Sequence, residues 1–396
     1  MRGLLTAIAL VFAMGTLSAQ SAMVMTTGTD SLEYRYTPID QTSRAQTGIE
    51  RFGLRLNDYL DMTDDDGQRV NFSFTGAPAY SVNTGWRLAA GAIMRYRTQG
   101  VAQPHTLSLN AMASLRGCYS VSLDGRNYLG STRNWLEYGG FMNRAYASLY
   151  GYGAVESVLA RRGEYLSSVY GAYLHYFCRV TSRFTVGVVA DYDYESLLQS
   201  DEHTDEILGG ADGSFSGLGV GVNFTYSTRR TEDVNLSRGV YLRAEYMLHP
   251  DDLNSGVATL HGVNAAFDYH QPLWRGGLLV LDLYGELHSA GTPWFLSATI
   301  GGDDRMRGYN YGRIMGRGVA ESQVELRQRV WEGLVLAGWG GLGVVFSEDV
   351  SALRCEMLPD YGLGLRWYLN PTTAMRVDYG FGRGCKAFVV GYTGMF

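Results

Sequence analysis

In FTVGVVADYDY, residues 184–194, Phe184, Val186, Val188, Ala190, Tyr192 and Tyr194 fall on one side of an extended chain. Thr185, Gly187, Asp191 and Asp193 fall on the other. Side chains alternate across a strand, so this stretch is a strand with one apolar and one polar face. The pattern returns in LGVGVNFTY (218–226), VYLRAEYML (240–248) and LVLDLYGELH (279–288), where Leu279, Leu281, Leu283 and Leu287 alternate with Asp282, Glu286 and His288. In GLRWY (364–368) and AMRVDYG (374–380) the polar face carries Arg366, Arg376 and Asp378.

A soluble sandwich also alternates, so the number and connection of the strands decide. From residue 65 onward about sixteen such segments follow, more than one sandwich normally holds. Their connections alternate in length. Those at 146–162, 196–213, 290–319 and 347–357 are long, and those at 179–182, 272–275, 331–332 and 369–371 are short. Short turns on one rim and long loops on the other mark a transmembrane β-barrel. In hydrocarbon every backbone polar group must be paired, so strands persist there only in a closed sheet, apolar face to lipid and charged face to the lumen.

Composition agrees. The 396 residues include 51 glycines, 28 tyrosines and 8 prolines, a strand-and-turn bias. The longest uncharged apolar stretch, LVLAGWGGLGVVF (334–346), is too short and glycine-rich for a membrane helix. A net charge of −6 argues against a nucleic-acid partner. Trp274, Trp331 and Trp367 all fall at short turns, where interfacial aromatics sit.

The N-terminus MRGLLTAIALVFAMGTLSAQSA has Arg2, an apolar core from Leu4 to Met14, and small residues to Ala19. It reads as a signal peptide, residues 1–19, cleaved after Ala19. The barrel is expected over 65–396. Between them, 20–64 is a short periplasmic or plug segment. Ile49, Phe52, Leu56 and Tyr59 follow helical spacing, whereas Phe52, Leu54 and Leu56 also alternate as a strand would. The final stretch KAFVVGYTGMF puts Phe388, Val390, Tyr392 and Phe396 on one face, like the C-terminal signal of outer-membrane barrels, with Gly394 replacing an expected apolar residue.

Sites of other chemistry are not indicated, and no enzyme, metal or cofactor is expected. The seven histidines are scattered, with no H-x-x-x-H or C-x-x-C spacing. GSFSG (213–217) centres on Phe215 and is no nucleophile elbow. DMTDDDGQ (61–68) misses the calcium-loop register at Met62. GLGVG (217–221) is a glycine-rich strand, its neighbours alternating with no helix after it. Of four cysteines, Cys355 and Cys385 fall on the long-loop side and are a candidate disulfide; Cys118 and Cys178 read as isolated small apolar residues.

The stretch GGDDRMRGYNYG (301–312), followed by QVELR (323–327), resembles the barrel motif of the BamA/TamA superfamily of outer-membrane assembly and translocation barrels. YGLGLRWYLNPTTAMRVDYGFG (361–382) looks like that family's last strands. PAYSVNTGWRLAAGAIMRYR (78–97) and the segments within 221–246 resemble earlier hairpins. The resemblance covers roughly 70–396. It implies an all-β, sixteen-stranded antiparallel barrel with the loop between the eleventh and twelfth strands docked in the lumen. The family's loop motif falls on Gly301, Gly302, Arg307, Gly308 and Tyr309. The family usually adds an aspartate on the next strand; here that place is Gly341.

Charge placement supports that docking. If Val324 and Leu326 face lipid, Gln323, Glu325 and Arg327 face inward. A buried arginine needs an acceptor, so Glu325 is the expected partner of Arg307, as a bidentate pair. Arg327, Arg366, Arg376 and Asp378 are further lumen charges. Gly308 allows close backbone approach and Tyr309 wedges against the wall.

Two functions follow. One is an assembly-type barrel whose seam, formed by residues 67–76 and 386–396 with Phe388, Tyr392 and Phe396, offers pairing edges to a client polypeptide. Without periplasmic domains of its own, it would be accessory to other outer-membrane assembly proteins. The other is a passive pore or structural barrel. Outer-membrane lipid is a partner in both.

Overall fold

The computed structural model describes residues 70–392, apart from 82–84, 99–100, 102, 152–161, 212, 230–237, 256–257, 303, 310–312, 332, 347–356 and 371–372. The expected signal peptide, the 20–64 segment and Phe396 therefore lie outside the described residues, as does Cys355 of the candidate disulfide.

The chain forms β1 (Val70–Ser81), β2 (Gly85–Tyr96), β3 (His105–Ser114), β4 (Tyr119–Tyr128), β5 (Asn134–Leu149), β6 (Gly163–Arg179) and β7 (Phe184–Ser200). A short helix α1 (Glu202–Leu208) precedes β8 (Ser214–Ser227), β9 (Gly239–His249), β10 (Leu260–Trp274) and β11 (Gly277–His288). Two three-residue strands, β12 (Ala298–Ile300) and β13 (Ile314–Gly316), lie in the next connection. Then come β14 (Gly318–Trp331), β15 (Leu334–Phe346), β16 (Leu358–Asn370), β17 (Thr373–Gly382) and β18 (Cys385–Tyr392). Sixteen of these join one antiparallel sheet in chain order, from β1 at one end to β18 at the other; β12 and β13 pair separately.

The sheet is rolled. Arg313 lies with its guanidinium 4.6 Å from the ring centre of Tyr150, just past β5, while Arg307 bonds Asp378 of β17. A flat sheet would put these ten strand spacings, about 48 Å, apart, more than twice the roughly 21 Å that six extended residues span. The same connection packs Trp294 and Met315 against Leu149, and Trp294 edge-on against Tyr165 of β6.

The two faces divide as the alternation requires. Val188, Val222, Phe224, Leu242, Val263, Leu283, Val324, Leu336 and Leu363 are exposed, whereas Asn223, Asp268, Asp282, Glu325, Arg366 and Asp378 are buried. An apolar surface this extensive is far beyond what a water-soluble monomer exposes and matches a lipid-facing wall. No described helix is long and apolar enough to cross a membrane. Trp274 and Trp331 are exposed at the short turns, and Trp367 is half-buried. Glycines opposite aromatics make the sheet close-packed: a Cβ on Gly171 would lie 2.3 Å from the Phe141 ring, and one on Gly187 2.5 Å from Phe177.

The connections expected to be long and short have those lengths, but the alternation is not complete. Residues 82–84, 115–118 and 383–384 are short connections on the long-loop rim, and 228–238 is a long one on the opposite rim. Polar-flanked strands pair through turns of any length, so turn length followed the strand pattern less closely than face alternation did. The described first strand begins at Val70, inside the expected 67–76 seam segment.

Candidate functional site

The connection 289–317 lies against the buried polar face, anchored at its centre by Arg307-Gly308-Tyr309. Met306 precedes them with φ 46, the one described non-glycine residue in left-handed backbone, and it is fully buried. That strain turns the chain so that Arg307 points back at the wall. Gly301 (φ 101) and Gly302 (φ 153) supply the conformations that start the turn.

Arg307 is wholly buried. Its Nη2 donates to Glu325 Oε2 on β14, and its Nη1 to Asp378 Oδ2 on β17 at 2.8 Å. The expected bidentate fork on Glu325 is therefore corrected: the guanidinium divides between two carboxylates, joining strands three apart in the sheet. Glu325 can give only one oxygen because its other, Oε1, accepts from Arg327 Nε at 2.6 Å. Arg366 reaches both acids, donating to Asp378 and lying 3.5 Å from Glu325 Oε2. Arg376 lies 3.9 Å from Asp378 and 3.1 Å from Asp304 of the loop. All four arginines expected inside thus converge on Glu325, Asp378 and Asp304. Burial works against the charge on Arg307, but Glu325 and Asp378 outweigh it and hold the group above its ordinary pKa.

The guanidinium of Arg307 also lies 3.7 Å from the ring centre of Trp339 on β15. Trp339 Nε1 donates to Asp360 Oδ2 at 2.8 Å, and Gly308 N donates to Asp360 Oδ1 at 2.6 Å. The aspartate sought at Gly341 is thus supplied one strand later, since Gly341 faces Asp360 in the β15–β16 register.

Close approach explains the glycines. A Cβ on Gly308 would sit 2.4 Å from the Phe381 carbonyl carbon, and one on Gly380 2.6 Å from Gly308 N. Tyr309 lies over Gly382, where a Cβ would be 2.5 Å from its ring. Its hydroxyl donates to the Pro359 carbonyl (2.9 Å) and accepts from Arg383 N (2.8 Å). Burial pushes its pKa up to about 12. Cys385 Sγ donates to the Gly308 carbonyl at 3.3 Å. Arg305 makes a second anchor, a bidentate pair to Asp282 at 2.6 and 2.8 Å.

Trp339, Asp360, Gly380, Gly382, Arg305 and Asp282 escaped the sequence reading as site residues. DYGFG (378–382) held the available signal: an inward acid followed by two glycines on the same face, a socket for incoming backbone.

In the proposed seam, Phe388 is exposed on the apolar face of β18, and the backbone of Tyr392 pairs with Met375.

No family model matches the sequence, and no curated protein matches it. Solved structures do match. BamA from Haemophilus ducreyi lacking POTRA domains 1–3 aligns with TM-score 0.57 and 12% identity over 82% of this chain and 70% of that one. CdiB from Escherichia coli aligns at 0.56 and 11% identity, and CdiB from Acinetobacter baumannii at 0.52 and 14%, each over 82% of this chain. Its fold is that of the BamA/TamA-type barrels. The chain spans 62% and 59% of the two CdiB chains, so the likeness concerns the barrel. The connection 289–317 contains the motif that the sequence reading singled out, and Arg305, Arg307, Gly308 and Tyr309 hold it to the wall.

Proposed function

We propose that the chain is an integral outer-membrane barrel, exported by its signal peptide, that assists the insertion or export of other polypeptides through a seam between β1 and β18. The observation that carries this reading is that, among the described residues, the sheet runs in chain order with β1 and β18 as its terminal strands. Terminal strands offer backbone groups on which an incoming strand can add. The fold shared with BamA and CdiB supports the same class of work.

The anchored loop supports it further. Glu325, Trp339, Asp360 and Asp378 bind it to β14 through β17, so the wall beside β18 is braced from within. A braced wall next to a weak edge localises opening to the seam rather than distributing it around the sheet. The resemblance further implies a partner bearing the periplasmic domains.

Depletion of the protein, with quantitative measurement of outer-membrane proteins and of solute uptake, tests the proposal. Lower levels of other barrels, with co-purification of a periplasmic-domain protein, are expected. Unchanged barrel levels with altered solute uptake would replace this reading by that of a passive pore.

A further inference from the structure

Several carboxylates on the enclosed face are neutralised by arginine: Asp282 by Arg305, Glu325 by Arg307 and Arg327, Asp378 by Arg366, Asp268 by Arg229, Glu137 by Arg126. One region gathers several carboxylates around a single cavity. A cavity of about 160 Å³ between β7, β9, β10 and β11 is lined by Asp191, Asp193, Glu245, Glu286, His249 and His288, and no arginine lines it. Glu245 is paired with Arg243 just outside, at 2.9 Å. Asp191 and Glu286 meet only histidines among ionic partners, His175 at 2.6 Å and His288 at 2.8 Å. The Asp193 carboxylate has no hydrogen bond or ion pair among the described residues. An acidic pocket in a confined, low-dielectric space is costly unless a cation joins it.

His249 gives an independent indication. It is nine-tenths buried, lines the cavity, and its ring has no hydrogen-bond partner among the described residues; its one ring contact is with Phe215. A buried imidazole facing a cavity is a polar group awaiting a donor or acceptor. The bare inward positions of GLGVG make room for this wall: a Cβ on Gly219 would lie 2.7 Å from His249 Nε2.

The occupant is defined by its chemistry. No cluster of three His, Cys, Asp or Glu among the described residues is arranged to hold a metal ion. Met247, Leu260 and Leu296, the last from the anchored loop, add apolar wall. Carboxylates beside apolar surface suit an ammonium on a methylene stem rather than a bare hydrated ion.

We propose that this cavity binds an alkylammonium group, carried by a free polyamine or by a lysine side chain. The site is separate from the β1–β18 seam and does not rest on its opening. The full chain, folded in detergent micelles at low ionic strength, is titrated calorimetrically with spermidine and, separately, with Nα-acetyl-lysine amide. Saturable binding of at least one probe is expected; the tighter probe assigns the source. Asp193→Asn with Glu286→Gln is expected to weaken it at least tenfold, whereas Glu202→Gln on α1, outside the cavity, leaves it unchanged. Asp193→Asn alone, which removes no ion pair, serves where the double variant does not fold. Saturating probe is also expected to slow diethylpyrocarbonate modification of His249, read by peptide mass. Absence of saturable binding, equal affinity in the Asp193→Asn variant, or unchanged His249 modification would overturn the proposal.

Discussion

The guanidinium of Arg307 lies 3.7 Å from the centre of the Trp339 ring while its two Nη nitrogens reach different acids, Glu325 and Asp378. One side chain therefore ties the loop to β14, β15 and β17 together. Removing an acid leaves buried arginines short of an acceptor, which costs about 3–5 kcal/mol where a buried pair is broken. Glu325→Gln is expected to lower unfolding stability by that order, measured by urea titration in lipid vesicles. Asp304→Asn, whose partner contact to Arg376 is solvent-exposed on the aspartate side, is expected to change it by less than about 1 kcal/mol. Equal effects of the two would contradict a buried network centred on Glu325.

Gly380 and Gly308 approach backbone to backbone, so the loop's seat depends on the absence of two methyl groups. Gly380→Ala would place a Cβ 2.6 Å from Gly308 N, and backbone on both sides cannot yield as a flexible side chain would. The expected outcome is an undocked loop on an intact sheet: strand content by circular dichroism unchanged, protease cleavage within 301–317 at least tenfold faster. Loss of strand content instead would mean that the loop is needed to form the sheet.

Tyr309 offers a pH signature. Burial raises its pKa from 10 to about 12, so the folded state prefers the neutral phenol. Its contribution is fully present below pH 10 and is lost as pH rises through about 12. The stability difference between the natural protein and Tyr309→Phe is therefore expected to shrink over that interval and be constant below it. A difference already falling between pH 7 and 9 would show that the phenol is not held by burial.

What could be read from sequence was governed by range. Face alternation is local, so Asp191, Asp282, Glu325 and Asp378 were placed on the correct side from their immediate neighbours. The Arg307–Glu325 contact was legible because motif and acceptor lie within one resembling segment. Asp360 was not, since its link to Gly308 crosses 52 residues and depends on the β15–β16 register. Gly341 sits opposite Asp360, so the error was one strand spacing. Helix α1 was also missed, although Asp201 accepting from Thr204 N and Gly209 at φ 58 are ordinary helix-end signals. Its seven residues, lying in a presumed loop, were too few to show helical periodicity.

The membrane reading itself can be tested through tryptophan. Trp274 and Trp331 are exposed at the short-turn rim, 55% and 65%, whereas Trp135 and Trp339 are buried on the other face, 2% and 5%. Bilayer-interface tryptophans lie at headgroup depth, within contact of the upper acyl carbons. In vesicles of phospholipid brominated near the headgroup, single-tryptophan variants retaining Trp274 or Trp331 are expected to be quenched severalfold more than those retaining Trp135 or Trp339. The buried pair reports the opposite environment: Trp135 Nε1 is engaged with Glu137 at 3.0 Å and Trp339 Nε1 with Asp360, so both remain in a polar, lipid-free interior. Strong quenching of Trp339 would place the Arg307 network in lipid, where four buried guanidinium groups could not be sustained, and would reverse the assignment of the two faces.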